Sequence, residues 1–362
     1  MRRWKRQLFQ RIRVKTLTGI PYRQCADAGF FIFTLYFLII PVEKSQNRVY
    51  ISKNKLPEGK NMETIIEEIK RLKAERKAVI LAHNYVNPEI QDIADFLGDS
   101  LELSFRAKES GAEVIVFCGV RFMAETAKLL SPNSTVLIPV PDAGCAMADM
   151  VNAKMIESYK KDHPNAFFVA YVNTTAETKS QVDLCCTSGN VEKVLNSIPA
   201  DQEVMFLPDR NLGGNMNNKM GRSMDLWKGC CPVHDAVTPE MIRKARAEHP
   251  GALVLVHPEC KPEVVAECDY ALSTAGILKK VKELDAKEFI IGTEKGIFHR
   301  MQKENPDKKF YSLAPELVCP DMKKITLETV RDALKNLSPA IELPADMMES
   351  AVKPILRMME IK

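Results

Sequence analysis

Three predicted strands end in a histidine or a tyrosine, and a cysteine follows each of them at a nearly constant distance. The strands are Ala78–His83, Ala166–Tyr171 and Ala252–His257, and their last residues are 88 and 86 positions apart. The cysteines Cys145, Cys231 and Cys319 lie 62, 60 and 62 residues beyond these strand ends. A buried parallel strand delivers its last side chain to the carboxyl edge of the sheet, where α/β proteins bind ligands. The repeated unit therefore predicts one shared metal or metal–sulfur site.

The three cysteines allow more than one kind of metal site. No Cys-x-x-Cys run is present in the sequence, which disfavours a ribbon-type zinc site and a ferredoxin-type cluster. Three thiolates can hold three corners of a four-iron cluster and leave one iron open as a Lewis acid, as in a hydro-lyase. Two alternatives stand beside this interpretation. One is a zinc hydrolase in which a residue such as His234 is the fourth ligand, and the other is an oxygen-sensing cluster protein without turnover.

A second set of polar residues follows the same strand ends. Tyr85, Asn173 and Glu259 each lie two positions after a strand end. Residues i and i+2 of an extended chain share a face, so each repeat presents two polar groups to one centre. Glu259 is the carboxylate of the set and hence the predicted general base. We expect burial to raise its pKa toward neutrality.

Hydroxyl side chains occupy a third repeated position, in short turns that contain glycine. Ser100, Ser188 and Thr274 are 88 and 86 residues apart, and Thr187 and Ser273 flank the last two of them. Hydroxyls and free backbone N–H groups at a helix start bind phosphate or carboxylate, although simple helix capping is the alternative. Neither the dinucleotide-binding nor the P-loop glycine pattern is present.

The elements that position these residues alternate between strand and helix. The first repeat has predicted strands over 78–83 and 113–118 and predicted helices over 88–96 and 102–110, and the same order returns twice. Such alternation with short loops is typical of parallel α/β sheets. We therefore predict an α/β fold of three small parallel-sheet domains, related by a pseudo-threefold axis around a central site. The predicted domains span residues 62–149, 150–235 and 236–322, followed by C-terminal helices over 323–362.

The charge distribution sets the first 61 residues apart. The sequence has 51 basic and 47 acidic residues, and this segment holds 13 of the basic and 3 of the acidic ones. The remaining 38 basic and 44 acidic residues make the rest of the chain mildly acidic. The chain has no nucleic-acid-binding pattern. Its apolar stretch, residues 29–42, is shorter than the about 20 residues that span a membrane. We expect this extension to lie outside the fold and translation to begin at Met62. Ten cysteines without a secretory context indicate a reducing cytoplasm.

Residues 62–362 resemble the quinolinate synthase family, the four-iron–four-sulfur enzymes of bacterial NAD biosynthesis. The resemblance runs in order through short stretches that contain the residues discussed above. These stretches are Ala82–Tyr85, Gly98–Leu101, Phe117–Thr126, Cys145–Ala148, Tyr171–Thr174, Pro208–Gly213, Trp227–His234, His257–Cys260, Ser273–Gly276 and Cys319–Leu327.

The resemblance implies condensation of iminoaspartate with dihydroxyacetone phosphate to quinolinate, phosphate and water. It implies a 4Fe–4S cluster on Cys145, Cys231 and Cys319, and proton transfers by Glu259 with Tyr85 and His257. The residues it implies for substrate binding are His83, Ser100, Tyr171, Asn173, Ser188, His257, Glu259, Ser273 and Thr274. The partner it implies is L-aspartate oxidase or aspartate dehydrogenase, which supplies iminoaspartate, and neither nucleic acid nor a membrane is expected.

Overall fold

The computed structural model describes residues 60–361, which all belong to one unit of the chain, Leu56–Lys362. Their strands are β1 Ala78–His83, β2 Phe96–Gly98, β3 Val114–Cys118, β4 Thr135–Leu137, β5 Phe167–Tyr171, β6 Leu184–Cys186, β7 Val204–Leu207, β8 Asp225–Leu226, β9 Leu253–Val256, β10 Tyr270–Ala271, β11 Glu288–Gly292 and β12 Lys309–Ser312. They form three sheets with the orders β2-β1-β3-β4, β6-β5-β7-β8 and β10-β9-β11-β12. All pairings between these strands are parallel. The predicted α/β fold with three parallel sheets is confirmed.

Helices connect the strands in each sheet, which is what a parallel connection requires. The helices are α1 Lys60–Glu75, α2 Pro88–Ile93, α3 Ser100–Glu109, α4 Arg121–Leu130, α5 Ala153–Asp162, α6 Ala176–Lys179, α7 Val191–Asn196, α8 Arg210–Met220, α9 Pro232–Asp235, α10 Pro239–Glu248, α11 Pro262–Val265, α12 Thr274–Glu283, α13 Ile297–Glu304, α14 Leu327–Asn336 and α15 Ala345–Glu360. Each sheet with its helices is called a lobe below, and the first, second and third lobes contain β1–β4, β5–β8 and β9–β12.

An aspartate before the edge strand repeats the same contact in every lobe. Asp95 accepts a hydrogen bond from the backbone N–H of Ile80 at 2.8 Å, and Asp183 accepts one from Phe168 at 2.8 Å. In the third lobe the Asp269 carboxylate accepts from the N–H of Val254 at 2.7 Å. These pairs keep the 88- and 86-residue spacing of the strand ends. The carboxylate satisfies a donor at the edge of the central strand, and so fixes where the edge strand begins.

The predicted helix over residues 88–96 is too long. Helix α2 ends at Ile93, and β2 begins at Phe96, where it pairs with Leu81 of β1. A three-residue strand has too few side chains to show an alternating pattern, so its pairing partner decides its conformation. The equivalent edge strands β6 and β10 have three and two residues, so they too lack an alternating pattern in the sequence.

The terminal helices pack on the first and second lobes. Helix α1 packs against α14, and α15 packs against β6 and α6. Ile355 and Met358 of α15 are fully buried in the same apolar cluster as Phe168 of β5. Full burial stabilises such side chains by about 1.5–3 kcal/mol each. Helix α15, the last element of the C-terminal helical region predicted over 323–362, is therefore part of the core of the second lobe.

The N-terminal extension predicted over residues 1–61 and its apolar stretch 29–42 lie, apart from Lys60 and Asn61, outside the described residues. None of the helices within residues 60–361 combines the length and the apolarity needed to cross a membrane.

Candidate active site

The carboxyl ends of the three central strands open into one cavity of about 190 Å³. The residues predicted from the sequence that line this cavity are His83, Tyr85, Ser100, Cys145, Tyr171, Asn173, Ser188, Cys231, His257, Glu259, Thr274 and Cys319. Ser273 is not in the lining, because its hydroxyl caps α12 by accepting a hydrogen bond from the Gly276 N–H at 3.1 Å. The structure therefore brings to one place twelve of the thirteen residues that the family resemblance implies.

The two histidines at the strand ends have the same local hydrogen bond. The Nδ1 atom of His83 accepts from the backbone N–H of Tyr85 at 3.2 Å, and Nδ1 of His257 accepts from that of Glu259 at 3.3 Å. An accepting Nδ1 places the proton of a neutral ring on Nε2. Burial lowers the pKa of both imidazoles to about 3, so both rings are neutral near pH 7. Each histidine is thus a neutral N–H donor.

Glu259 is held as a carboxylate by two hydrogen bonds. The Tyr171 hydroxyl donates to its Oε1 at 2.5 Å, and Nδ1 of His234 lies 2.7 Å from its Oε2. Burial raises the pKa of Glu259, but the hydrogen bonds that His234 and Tyr171 make to the carboxylate favour its charged form, and the net direction is below the ordinary value. The expectation of a raised pKa is wrong, because the surrounding donors outweigh desolvation. Glu259 is ionised at neutral pH.

A hydrogen-bonded chain continues from Glu259 to Tyr85 and Thr274, which also line the cavity. Nε2 of His234 lies 2.8 Å from the Thr293 hydroxyl, which lies 2.6 Å from the Tyr85 hydroxyl. Tyr85 in turn lies 2.8 Å from the hydroxyl of Thr274. With a neutral His234, every hydroxyl in this row can donate toward Glu259, so that the row is one directed chain.

Sequence reasoning missed Thr293 and considered His234 only as a zinc ligand. Thr293 follows β11 directly, so its place after a buried strand was a usable signal. His234 lies three residues after Cys231, in α9, and this short helix turns its ring into the cavity. Nothing in its local sequence indicates that Glu259 would be its partner.

The helix starts near the cavity are partly occupied by the protein's own groups. Asp99 caps α3 by accepting from the N–H groups of Leu101 and Glu102, both at 3.0 Å. These N–H groups are therefore unavailable to a ligand, contrary to the interpretation of this turn as a source of free N–H donors. The hydroxyls of Ser100 and Thr274 remain in the cavity lining.

The three cysteines that line the cavity have equivalent surroundings. The sulfur atoms of Cys145, Cys231 and Cys319 each accept a hydrogen bond from the backbone N–H three residues later, at Ala148, His234 and Met322. Such N–H donors favour thiolate ligands and tune metal–sulfur clusters. Burial raises the pKa of the Cys145 thiol to about 12 and also raises that of the other two. The nine cysteines within residues 60–361 are all free thiols.

The spacing of the sulfurs bears on which metal group they can hold. A single zinc ion with thiolates at about 2.3 Å keeps its sulfurs about 3.8 Å apart. In the part of the chain that the structure describes, Cys145, Cys231 and Cys319 do not form a group whose ligand atoms all lie within 4.8 Å of one another, whereas Cys231, His234 and Glu259 do. At least one pair of these sulfurs is thus farther apart than the ligands of a single zinc ion, whereas Cys231, His234 and Glu259 are close enough for one ion.

Fold and cavity together define a class, a three-lobed α/β enzyme whose thiols and polar groups share one buried site. Residues 67–360 match the family model described as quinolinate synthetase A protein (NadA). The chain is 50% identical over 297 residues to the quinolinate synthase of Desulforudis audaxviator, covering 82% of this chain and 98% of the relative. It is 48% identical over 299 residues to that of Geobacter metallireducens, covering 83% and 98%, and 48% identical over 295 residues to that of Methanoregula boonei, covering 82% and 97%. The chain therefore belongs to the quinolinate synthase family.

Proposed function

We propose that this enzyme condenses iminoaspartate with dihydroxyacetone phosphate to give quinolinate, phosphate and two molecules of water. The observation that carries the proposal is the convergence of three cysteines and of polar groups from all three lobes on one cavity, in a member of the quinolinate synthase family. The carbon atoms balance, because four of the seven carbons of quinolinate come from iminoaspartate and three come from dihydroxyacetone phosphate.

Cys145, Cys231 and Cys319 would hold a 4Fe–4S cluster. Their equivalent N–H donors support this ligand set, and their sulfurs are not all as close together as the ligands of a single zinc ion. When bound through three cysteines, such a cluster supplies an open iron that can accept a substrate oxygen as a Lewis acid.

Neutral hydrogen-bond donors would hold the anionic substrates. His83 and His257 carry their protons on Nε2, so each can donate to a carboxylate or phosphate oxygen. Ser100, Ser188 and Thr274 add hydroxyls from the three equivalent strand-to-helix connections. Donors without charge bind an anion yet let the product leave, since no buried ion pair must be broken.

Glu259 would take and return the protons of isomerisation and dehydration. It is ionised at neutral pH and therefore ready to accept a proton from carbon. The chain through His234 and Thr293 leads from Glu259 to Tyr85, a second residue of the cavity lining. A proton can move along this row by a coordinated shift of each hydrogen, which would connect the base to a second reacting position.

The proposed substrates also define the setting of the reaction. An imine hydrolyses readily in water, so an oxidase or dehydrogenase acting on aspartate must supply it nearby. We propose L-aspartate oxidase or aspartate dehydrogenase in this role, and a cytoplasmic location.

Anaerobic purification of the whole chain, with iron counting and a quinolinate assay, tests the proposal. We expect about four irons per chain and product from the two substrates. Cys231→Ser should lose iron and activity. The neighbouring Cys230 does not line the cavity, so Cys230→Ser is the matched control and should retain both iron and activity. A colourless protein that binds one zinc ion per chain and forms no quinolinate would overturn the proposal.

A further inference from the structure

A lysine is fully buried behind the second lobe's wall of the cavity. Lys179, the last residue of α6, has 0% of its surface exposed. Its ammonium donates to the carbonyl oxygen of Val172 at 2.7 Å and to that of Thr174. The Nζ atom also lies 5.5 Å from the ring centroid of Phe122, a residue of the cavity lining. A buried cation is costly unless its donors are satisfied, so these contacts are what keep Lys179 in place.

The two carbonyls that Lys179 holds flank Asn173. The backbone N–H of Thr174 also donates to the oxygen of Val172 at 2.8 Å, so that Asn173 is the central residue of a tight γ-turn. Lys179 therefore clamps the chain on both sides of this one residue. A turn held in this way has little freedom to rotate the Asn173 side chain away from the cavity.

Asn173 has a polar atom that the protein leaves without a partner. Within residues 60–361, its Oδ1 is buried and accepts no hydrogen bond, and the residue lines the cavity. A buried acceptor without a donor is unfavourable, and a ligand removes this penalty when it supplies an N–H or O–H group. A carboxylate or phosphate oxygen has no proton to give, so the missing partner is an imine N–H or a hydroxyl.

The helix that carries Lys179 is itself tied to the first lobe. The carboxylate of Glu125 on α4 accepts the N–H of Ala176, the first residue of α6, at 2.9 Å. Arg121 holds the same carboxylate from its other side at 3.1 Å. The position of Lys179 relative to the cavity is thus set by groups outside its own lobe.

We propose that Lys179 is a positioning residue that fixes the carboxamide of Asn173 for an N–H or O–H group of the substrate. The proposal rests on the proposed function of the cavity, and it adds a residue that does not itself reach the lining. Its physical basis is pre-organisation, because the clamp holds the turn before the substrate arrives.

A second buried lysine makes the same kinds of contact away from the cavity and serves as the control. Lys308 is buried, donates to the carbonyl oxygens of Val281 and Leu284 at 2.5 and 2.7 Å, and lies 5.6 Å from the ring centroid of Phe289. None of these residues lines the cavity. Loss of either ammonium should therefore lower stability, but only one of the two losses should change catalysis.

The test compares Lys179→Met with Lys308→Met in the full, iron-loaded chain. We expect both variants to lower the melting temperature and to keep the visible absorption of the cluster. Only Lys179→Met should reduce kcat/KM, by about 10- to 100-fold, because the turn moves. When Asn173 is already replaced by alanine, Lys179→Met should lower kcat/KM almost no further. If the methionine variant does not fold, Lys179→Arg takes its place. It retains the positive charge, and we expect it to fold and to lose less kcat/KM.

Three results would overturn the proposal. The first is a wild-type kcat/KM in Lys179→Met, and the second is an equal fall of kcat/KM in Lys308→Met. The third is that Lys179→Met lowers kcat/KM as much in the Asn173→Ala background as in the wild type. Amide hydrogen exchange gives a readout that does not depend on the reaction. Faster exchange at residues 172–174 in Lys179→Met alone supports the clamp, and unchanged exchange refutes it. An inactive wild type would count against the proposed function, and the exchange result would still decide the role of Lys179.

Discussion

A methyl group added at Gly296 should displace Tyr85. Gly296 lies just before α13, and a Cβ atom there would be 2.7 Å from both the Cα and the carbonyl oxygen of Tyr85. It would also be 2.8 Å from an oxygen of Glu294. The φ angle of Gly296 is −58°, which alanine adopts without strain, so the effect of Gly296→Ala arises from these contacts alone.

The size of the effect follows from the overlap. Carbon atoms in contact normally lie about 3.5–4.0 Å apart, so the Tyr85 backbone must shift by about 1 Å. Lys323 donates to the Tyr85 carbonyl, and the Tyr85 hydroxyl is 2.6 Å from Thr293, so the loop cannot relax freely. Overpacking of this kind costs about 1–3 kcal/mol of stability. Because Tyr85 belongs to the proposed proton-transfer chain, its displacement by about 1 Å should lower the rate about 100-fold.

Steady-state kinetics of quinolinate formation and thermal unfolding measure the two effects in the iron-loaded enzyme. Gly214→Ala is the matched control, because a Cβ there meets its nearest atom, in Pro262, at 3.6 Å. Gly214 lies inside α8, where alanine is favoured over glycine by about 1 kcal/mol, so the control should be at least as stable as the wild type. Wild-type kcat/KM in Gly296→Ala, with the cluster absorption intact, would refute the reasoning about Tyr85.

Two further predictions concern buried carboxylates. Glu259→Gln should reduce quinolinate formation about 10²- to 10⁴-fold in steady-state assays. Because the folded pKa of Glu259 is lowered, its stabilisation is present above the ordinary glutamate pKa and is lost as the pH falls through the folded pKa. Urea unfolding should therefore show a difference between wild type and variant that is constant from about pH 7 to about pH 5 and shrinks as the pH falls below the ordinary glutamate pKa of about 4.3. A difference that grows in acid would contradict the assigned direction. Lys323→Met removes the cation 2.9 Å from buried Glu294, whose pKa burial raises. We expect a loss of about 3–5 kcal/mol at neutral pH. The loss should be smaller in acid, where the carboxyl is protonated, and Glu294→Gln should relieve it; a loss independent of pH would rule out an uncompensated charge.

The repeated elements of this enzyme could be predicted from its sequence because their signals are local. An unbroken apolar strand that ends in His83 or His257 is visible in six neighbouring residues. Its recurrence with a cysteine near 60 residues later needs no knowledge of the fold. The same local pattern was too short to reveal β2, and it could not distinguish Ser273, which caps a helix, from Thr274, which faces the cavity.

The sequence by itself determined the three α/β units, the strand ends and the thiols that meet in the cavity. Only the tertiary structure decided the electrostatics of Glu259, the chain through His234 and Thr293, and the burial of Lys179. The physical reason is distance along the chain, since Tyr85 and Thr293 share a hydrogen bond across 208 positions. Desolvation and donor geometry at Glu259 arise only when the three lobes pack together, and no local pattern of residues encodes them.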